Sequence, residues 1–158
     1  MKTGIFYGST TGTTEMVAEK VGALLGADVM PAAEIDKVEN YDFVIFATST
    51  WGMGDLQDDW FGALETLAGK NLSGKKVALI GVGDQVSFGD TFVDGMGTIY
   101  EEIKDKGITL VGKTSVDGYD FSGSKAVVDG EFAGLVIDEN NQSELTEERI
   151  AAWVEKVR

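Results

Sequence analysis

The stretch Gly8-Ser9-Thr10-Thr11-Gly12-Thr13-Thr14 decides the fold of this chain. The apolar run at 5–7 before it predicts a buried strand, and the apolar residues at 16–25 after it recur at helical spacing. A strand, a turn of small residues and a helix start form an anion site, because the turn and the helix N-terminus offer backbone N–H groups. The stretch contains no lysine or arginine, so a bound phosphate would be held by neutral donors. A plain polar turn with a helix cap is the alternative on these residues alone.

Length and composition indicate one globular domain, residues 1–158, with 43% hydrophobic residues. No run approaches the roughly 20 apolar residues of a membrane span. Residues 1–4 break too early for a secretory signal, and we expect a cytoplasmic protein. The chain has no cysteine and no histidine, so thiol nucleophiles and the commonest general base are absent. This composition favours a protein whose cofactor supplies the chemistry and predicts no metal site.

The formal net charge is −14. Such a charge argues against nucleic acid and against anionic membrane surfaces as partners. It suits a basic protein partner, and it equally suits plain solubility.

Strand and helix patterns alternate along the chain. Apolar runs at 28–30, 42–47, 76–81 and 108–111 predict further strands, and helical spacing recurs over 56–67, 92–103 and 150–157. This order predicts an α/β fold with a doubly wound, five-stranded parallel sheet and helices on both faces. Ligands of such sheets bind outside the carboxyl ends of the strands. The three unusual loops, 8–14, 48–55 and 81–90, all follow strands, so we expect them to converge on one site.

Residues 113–132 interrupt the alternation and are too many for an ordinary connection. Within them, 125–128 and 131–133 flank Asp129-Gly130, which is a type I′ hairpin signal. The pattern predicts an insertion inside the last strand, which resumes at 135–137.

Other nucleotide-binding motifs fail on inspection. A P-loop needs a lysine before its final hydroxyl residue, and the first turn lacks the Rossmann glycine pattern. A phospho-acceptor receiver domain shares the fold but needs carboxylates at the ends of the first and third strands. Those places hold Ser9-Thr10 and Thr48-Ser49.

Taken in order, the motifs resemble the long-chain flavodoxins. The resemblance runs nearly end to end and rests on 8–14, Thr50-Trp51-Gly52, 56–60, Gly83-Asp84-Gln85, 117–130 and 141–143. It implies the strand order 2-1-3-4-5 and one tightly bound FMN. It also implies an electron carrier rather than an enzyme. We expect a low potential, with cycling between semiquinone and hydroquinone, because the three loops carry no cation to offset added negative charge.

The resemblance also implies redox partner proteins with basic docking surfaces. A flavin- or NADPH-dependent reductase would be the donor and a low-potential enzyme the acceptor, and the chain would be a monomer. An FMN-dependent oxidoreductase of the same fold, reducing a quinone or similar acceptor, is the alternative function.

Cofactor contacts follow from the same resemblance. The loop 9–14 would hold the phosphate and Thr50 the ribityl chain, Trp51 would stack on the ring, and Asp84 and Gln85 would meet its pyrimidine end. The full predicted set is Ser9, Thr10, Thr11, Gly12, Thr13, Thr14, Thr48, Ser49, Thr50, Trp51, Gly52, Met53, Gly83, Asp84, Gln85, Phe88 and Asp90.

Phe88 stands where many members have a stacking tyrosine, and Asn140 stands where they often have an aspartate. Trp51 and Phe88 have a second interpretation, as core aromatics that cap helices. Trp60 and Trp153 lie on apolar helix faces and are predicted to be core.

Two further expectations concern the rim of the site. Five acidic residues, with Met53 and Phe88, are predicted to form a landing surface for a basic partner: Asp55, Asp58, Asp59, Asp90 and Asp94. Gly52 is predicted to let a peptide flip, so that its carbonyl accepts a hydrogen bond from the flavin semiquinone.

Overall fold

The computed structural model describes residues 2–51 and 54–158, and of Trp51 it describes the main chain only. Helices cover both faces of a twisted sheet. The helices are α1 (Thr13–Leu25), α2 (Asp59–Ala68), α3 (Asp94–Ile103) and α4 (Thr146–Val157), and Ala32–Asn40 and Ser143–Leu145 are 3₁₀-helical. The strands are β1 (Thr3–Tyr7), β2 (Asp28–Pro31), β3 (Phe43–Trp51), β4 (Asp55–Leu56), β5 (Lys76–Val82), β6 (Thr109–Leu110), β7 (Thr114–Ser115), β8 (Val127–Val128), β9 (Glu131–Phe132) and β10 (Leu135–Ile137).

The main sheet has the order β10-β5-β3-β1-β2, and all these neighbours are parallel. β6 pairs with the start of β5, and β10 pairs with its end. These two short strands are therefore the two halves of one sheet position, separated by the insertion. The predicted order 2-1-3-4-5 and the predicted interruption of the last strand are both confirmed.

Two apolar clusters lie on opposite faces of this sheet. One contains Val17 and Val21 of α1 with Ile150 and Trp153 of α4, and the other contains Trp60 of α2 with residues of α3. Trp60 is fully buried and Trp153 is 2% exposed, so both are core residues as predicted. Because the helices pack on the two faces of the sheet, they leave the carboxyl ends of the strands open. The candidate site lies at this edge of the sheet.

The insertion forms its own antiparallel sheet in the order β7-β9-β8. Asp129 and Gly130 link β8 to β9 with φ values of 54° and 83°. Positive φ at both central residues is the requirement of a type I′ turn, so the predicted hairpin is confirmed.

The element boundaries around the second loop differ from the prediction. β3 does not end at Ala47 but continues to Trp51, because Thr48 and Ser49 remain in register with Gly81 and Val82 of β5. Leu56 belongs to β4, which pairs antiparallel with the end of β3, and α2 begins only at Asp59. Periodicity of apolar side chains cannot detect a strand extension whose residues are polar.

No helix among the described residues is both long enough and apolar enough to cross a bilayer.

Candidate cofactor site

The three loops meet at the carboxyl edge of the sheet, as expected. They enclose a cavity of about 90 Å³, which we call the inner cavity. Its lining comes from the first, second and third loops and from the chain after β10: Thr11, Thr13, Thr14, Ser49, Thr50, Val82, Gly83, Asp84, Phe88, Glu139 and Asn140. A larger cleft of about 920 Å³, the outer cleft, lies between 85–91 and the insertion residues 120–122 and also contacts Asn141 and Gln142. Phe88 lines both spaces and so forms the wall between them.

The first loop leads directly into the start of α1. Gly12 is the N-cap residue with φ 92°, and no side chain in the described structure caps this helix. The Ser9 hydroxyl accepts a hydrogen bond from the Gly12 N–H at 3.0 Å, which closes the loop. Thr13 and Thr14 begin the helix and line the inner cavity. Hydroxyl groups and an uncapped helix N-terminus together make a neutral anion site.

Gln57, which lies between β4 and α2, supports the first loop with a hydrogen bond. Its side-chain amide donates to the Thr10 hydroxyl at 3.1 Å and to Asp59 at 3.0 Å, and its carbonyl accepts from the Asp59 N–H at 2.9 Å. Gln57 is only 2% exposed. Gln57 is part of the motif 56–60 but was not among the predicted site residues, because its contact with Thr10 spans 47 positions of the chain.

The end of β3 supplies the second wall. Ser49 and Thr50 line the inner cavity, and the Thr50 hydroxyl accepts from the Gly95 N–H at 2.8 Å, which ties β3 to the start of α3. Thr48, also predicted to contact the cofactor, is fully buried and does not line the cavity. Its hydroxyl donates to the Ser49 carbonyl. Thr48 thus lies beneath the site.

The predicted contacts of the Trp51 side chain, Gly52 and Met53 lie outside the described residues. The predicted stacking of Trp51 and the predicted peptide flip at Gly52 therefore stay predictions.

Asp84 organises the third loop. Its carboxylate accepts from the N–H groups of Val86 and Ser87, at 3.1 and 2.9 Å, and from the side-chain amides of Asn140 and Asn141. Burial alone would raise the pKa of Asp84, but the hydrogen bonds from Ser87, Asn141 and Asn140 outweigh it and lower the pKa to about 2. Asp84 is therefore an anion at neutral pH on the wall of the inner cavity.

Gln85 was predicted to contact the cofactor through its main chain. Its hydrogen bonds limit which main-chain group is free to do so. Its N–H donates to the Asp138 carboxylate at 3.0 Å and its side-chain amide donates to the same oxygen at 2.8 Å. A main-chain contact to a cofactor would therefore come from the Gln85 carbonyl. Neighbouring Gly83 lines the inner cavity and donates its N–H to Ile137.

Asp138 is a residue that sequence reasoning missed. It follows β10 directly, is fully buried, and accepts from Gln85, Asn140 and Asn141. The rule that ligands gather at the carboxyl ends of parallel strands would have selected it, since β10 ends at this edge.

Phe88 is 38% exposed, which excludes its interpretation as a core aromatic. Asp90 is exposed and lines the outer cleft, not the inner cavity. Phe88 and Asn140 are the two positions that depart from the family pattern, and both line the inner cavity.

The charge of the inner cavity is negative. None of its described lining residues is lysine or arginine, while Asp84 and Glu139 are acidic. In the described part of the chain, no group of three or more acidic residues is arranged to hold a metal ion.

The predicted landing surface needs one correction. Asp55, Asp58, Asp59 and Asp90 are exposed, but Asp94 is only 3% exposed. The Asp94 carboxylate accepts from the Lys125 N–H of the insertion at 2.7 Å. Placing Asp94 on the surface was wrong, because the insertion covers it.

A doubly wound α/β domain with a neutral anion site at its first turn belongs to the class of nucleotide-binding folds. The flavodoxin family model matches residues 5–153. A flavodoxin from Nostoc sp. is 43% identical, covering 99% of this chain and 95% of its own. One from Helicobacter pylori is 46% identical, covering 99% and 96%. The crystal structure of Fusobacterium nucleatum flavodoxin bound to flavin mononucleotide has a TM-score of 0.94 at 33% identity, covering 99% of this chain and 97% of that one. The chain belongs to the flavodoxin family.

Proposed function

We propose that this chain binds FMN on the three loops that border the inner cavity and carries single electrons at low potential between redox partner proteins. Flavodoxins are electron-transfer flavoproteins and not enzymes. The observation that carries the proposal is the hydroxyl-lined inner cavity at the uncapped start of α1, with an exposed aromatic ring on its wall.

The residues of the first loop fit the FMN phosphate. The Ser9 hydroxyl already accepts from Gly12, which leaves its own hydrogen free to donate to an anion. Thr11, Thr13 and Thr14 add hydroxyl groups, and the start of α1 adds the positive end of its dipole. No cation is needed, because helix N-termini bind phosphate through backbone N–H groups.

Phe88 fits the flat ring of the cofactor. Stacked aromatic pairs contribute about 0.5–1.5 kcal/mol beyond the area that they bury. Phe88 is held for this contact by the loop itself, since its N–H donates to the Asp84 carbonyl at 2.9 Å and its carbonyl accepts from Thr91. A second stacking partner, Trp51, stays a prediction.

Bound FMN supplies reversible uptake of one electron at a time, and the chain's acidic groups set how readily it occurs. Asp84 and Glu139 line the cavity, and the whole chain carries −14. Asp84, Glu139 and the net charge of the chain each disfavour additional negative charge on bound FMN. About 1.4 kcal/mol of such repulsion lowers a one-electron potential by roughly 59 mV. A low potential follows from a few interactions of ordinary size.

Partner proteins are proposed to dock on the acidic rim. Asp55, Asp58, Asp59 and Asp90 are exposed, and the exposed apolar side chains of Val86 and Phe88 lie in the same loop as Asp90. This rim suits a basic donor, such as a flavin- or NADPH-dependent reductase, and a basic low-potential acceptor enzyme. The high negative charge also favours a monomer, since like-charged copies repel one another. The cytoplasmic location stays a prediction.

An absorbance spectrum of the purified protein tests the proposal. We expect the bands of oxidised flavin and, after denaturation, the release of FMN rather than FAD or riboflavin. Assays with NAD(P)H and quinones then separate the carrier from the oxidoreductase alternative. A chain that stays colourless after incubation with FMN, or that turns over quinones with NAD(P)H alone, would contradict the proposal.

A further inference from the structure

Asp138 is the most heavily hydrogen-bonded buried side chain near the inner cavity, yet it does not line that cavity. One carboxylate oxygen accepts from the main-chain and side-chain N–H groups of Gln85, at 3.0 and 2.8 Å. The other accepts from the N–H groups of Asn140 and Asn141, at 3.2 and 3.1 Å. The Asn141 side-chain amide lies within 3.1 Å of both oxygens. Asp138 therefore holds two chain segments together.

These bonds determine the shape of the loop that carries Phe88. The N–H of Gln85 is bonded to Asp138, those of Val86 and Ser87 to the Asp84 carboxylate, and that of Phe88 to the Asp84 carbonyl. Asn141 joins the two carboxylates, since its amide also donates to Asp84 at 2.8 Å. The backbone that leads to Phe88 is thus hydrogen-bonded at Gln85 to the buried Asp138 side chain.

Gln85 extends the same network into the insertion. Its side-chain carbonyl accepts from the Asp120 N–H at 2.6 Å. Since its amide faces Asp138, the Gln85 side chain cannot rotate without losing one of these bonds. The insertion therefore contacts the cofactor loop at two places: at the Gln85 side chain, whose orientation Asp138 fixes, and at the Gly89 carbonyl, which accepts from the Ser122 and Gly123 N–H groups.

A carboxylate at this depth destabilises the fold unless its donors compensate. Burying a charge has a free-energy penalty, which several hydrogen bonds to the charged group together offset. An apolar residue or an amide would avoid the penalty but would not satisfy the N–H groups of both segments at once. The carboxylate is thus the group that can organise both.

We infer that Asp138 is a positioning residue for the flavin ring: through Gln85 it fixes the loop 84–88 and the aromatic wall of the inner cavity. The inference rests on the proposed FMN function. It assigns Asp138 to the ring end of the cofactor and not to the phosphate end.

Binding of FMN and of riboflavin, which lacks the phosphate, to the apoprotein tests the assignment. Asp138→Asn keeps the size of the side chain but replaces one acceptor oxygen with a donor, which in either orientation faces N–H groups of Gln85 or of Asn140 and Asn141. We expect the Kd of both ligands to rise by the same factor, about tenfold. We also expect faster hydrogen exchange at the Gln85 and Asp120 amides of the apoprotein. Asp129→Asn removes the same charge from the exposed hairpin and is the matched control; it should leave both ligands and both amides unchanged.

A sign reversal tests whether the effect of Asp138 passes through Gln85. Gln85→Glu places a carboxylate against Asp138, so the two groups repel. In that background Asp138→Asn should tighten riboflavin binding, although the same substitution weakens it in the wild-type chain. If Asp138→Asn fails to fold, Gln85→Leu removes the side-chain bonds to Asp138 and Asp120 and should weaken both ligands equally.

Two outcomes would overturn the inference: a change in the Kd of FMN without a change for riboflavin, or the same sign of effect in both backgrounds. Failure of the wild-type apoprotein to bind either flavin would contradict the proposed function instead, so the two claims fail separately.

Discussion

Gly8 is constrained by its neighbours and not by its own φ angle. A Cβ at this position would lie 2.2 Å from the Gln57 carbonyl oxygen and 2.6 Å from a ring carbon of Trp60. Both side chains are buried, and Trp60 donates its ring N–H to the Ala47 carbonyl at 2.9 Å. The hydrogen bond from Gln57 to Thr10 therefore needs glycine at position 8.

We predict that Gly8→Ala lowers the free energy of unfolding by about 1–3 kcal/mol, the usual effect of overpacking. It should also weaken FMN binding, because Gln57 must move away from Thr10. Denaturant unfolding and flavin titration measure the two effects. Gly69→Ala is the control, since its Cβ would make only an ordinary contact of 3.7 Å. Equal stability of the two variants would contradict this reading of Gly8.

Asp84 makes the stability of the third loop depend on pH. Its pKa is lowered from 3.8 to about 2 in the fold, so its stabilising effect is fully present above pH 4 and is lost as the pH falls towards 2. We predict that Asp84→Asn lowers the free energy of unfolding by about 1–2 kcal/mol at pH 7. Comparison with wild type at pH 7, 4 and 2.5 should show the difference shrinking with acidity. A constant difference would show that the charge of Asp84 is not what stabilises the loop.

At the level of elements, the sequence was sufficient for the parallel sheet, the helices and the hairpin at Asp129-Gly130. Apolar periodicity and turn residues are local signals, and these elements depend on them. The polar end of β3 was missed because only its pairing with β5 and β4 defines it.

For the site, the sequence predicted which loops form it but not how those loops contact one another. Its three loops were recognised because each follows a buried strand, whereas the contacts between loops were not. Gln57 reaches Thr10 across 47 positions and Gln85 reaches Asp138 across 53, and no local pattern encodes such pairs. Asp94 was misplaced for the same reason. The sequence pattern of an acidic residue at a helix start is the same whether the residue is exposed or covered by an insertion.

The packing of α3 against the insertion gives an element-level prediction. A Cβ at Gly97 would lie 2.6 Å from the Lys125 carbonyl, so the two backbones are in direct contact. Alanine normally stabilises a helix over glycine by about 0.8–1.0 kcal/mol. We predict that Gly97→Ala instead destabilises the protein and accelerates hydrogen exchange in 113–132.

Gly62→Ala in α2 is the matched control, because its Cβ would meet no described atom within 4 Å. It should stabilise the protein or leave it unchanged. Stabilisation by both substitutions would mean that the insertion does not pack on α3 as described.

At the level of the whole molecule, the net charge of −14 acts through the acidic groups that remain exposed. Asp90 is exposed beside the outer cleft, whereas Asp94 is buried against Lys125. We predict that Asp90→Asn slows association with a small basic haem protein by a factor of about 1.4 to 5 at low salt, matching the 0.2–1 kcal/mol of an exposed ion pair.

Asp94→Asn should leave the association rate nearly unchanged and lower the thermal stability. Stopped-flow measurements at several ionic strengths separate the two, because only an electrostatic effect fades as salt rises. An association rate of the wild-type protein that does not depend on salt would contradict docking on the acidic rim.

The central claim is that the first loop holds the FMN phosphate with neutral donors, and the ratio of FMN to riboflavin affinity in Ser9→Asp tests it most directly. A carboxylate placed against a phosphate dianion repels it, so we predict that the Kd of FMN rises by about a hundredfold or more while that of riboflavin changes little. Ser73→Asp, the same change at an exposed position before β5, should alter neither. Equal weakening of FMN and riboflavin by Ser9→Asp would contradict the placement of the phosphate on this loop.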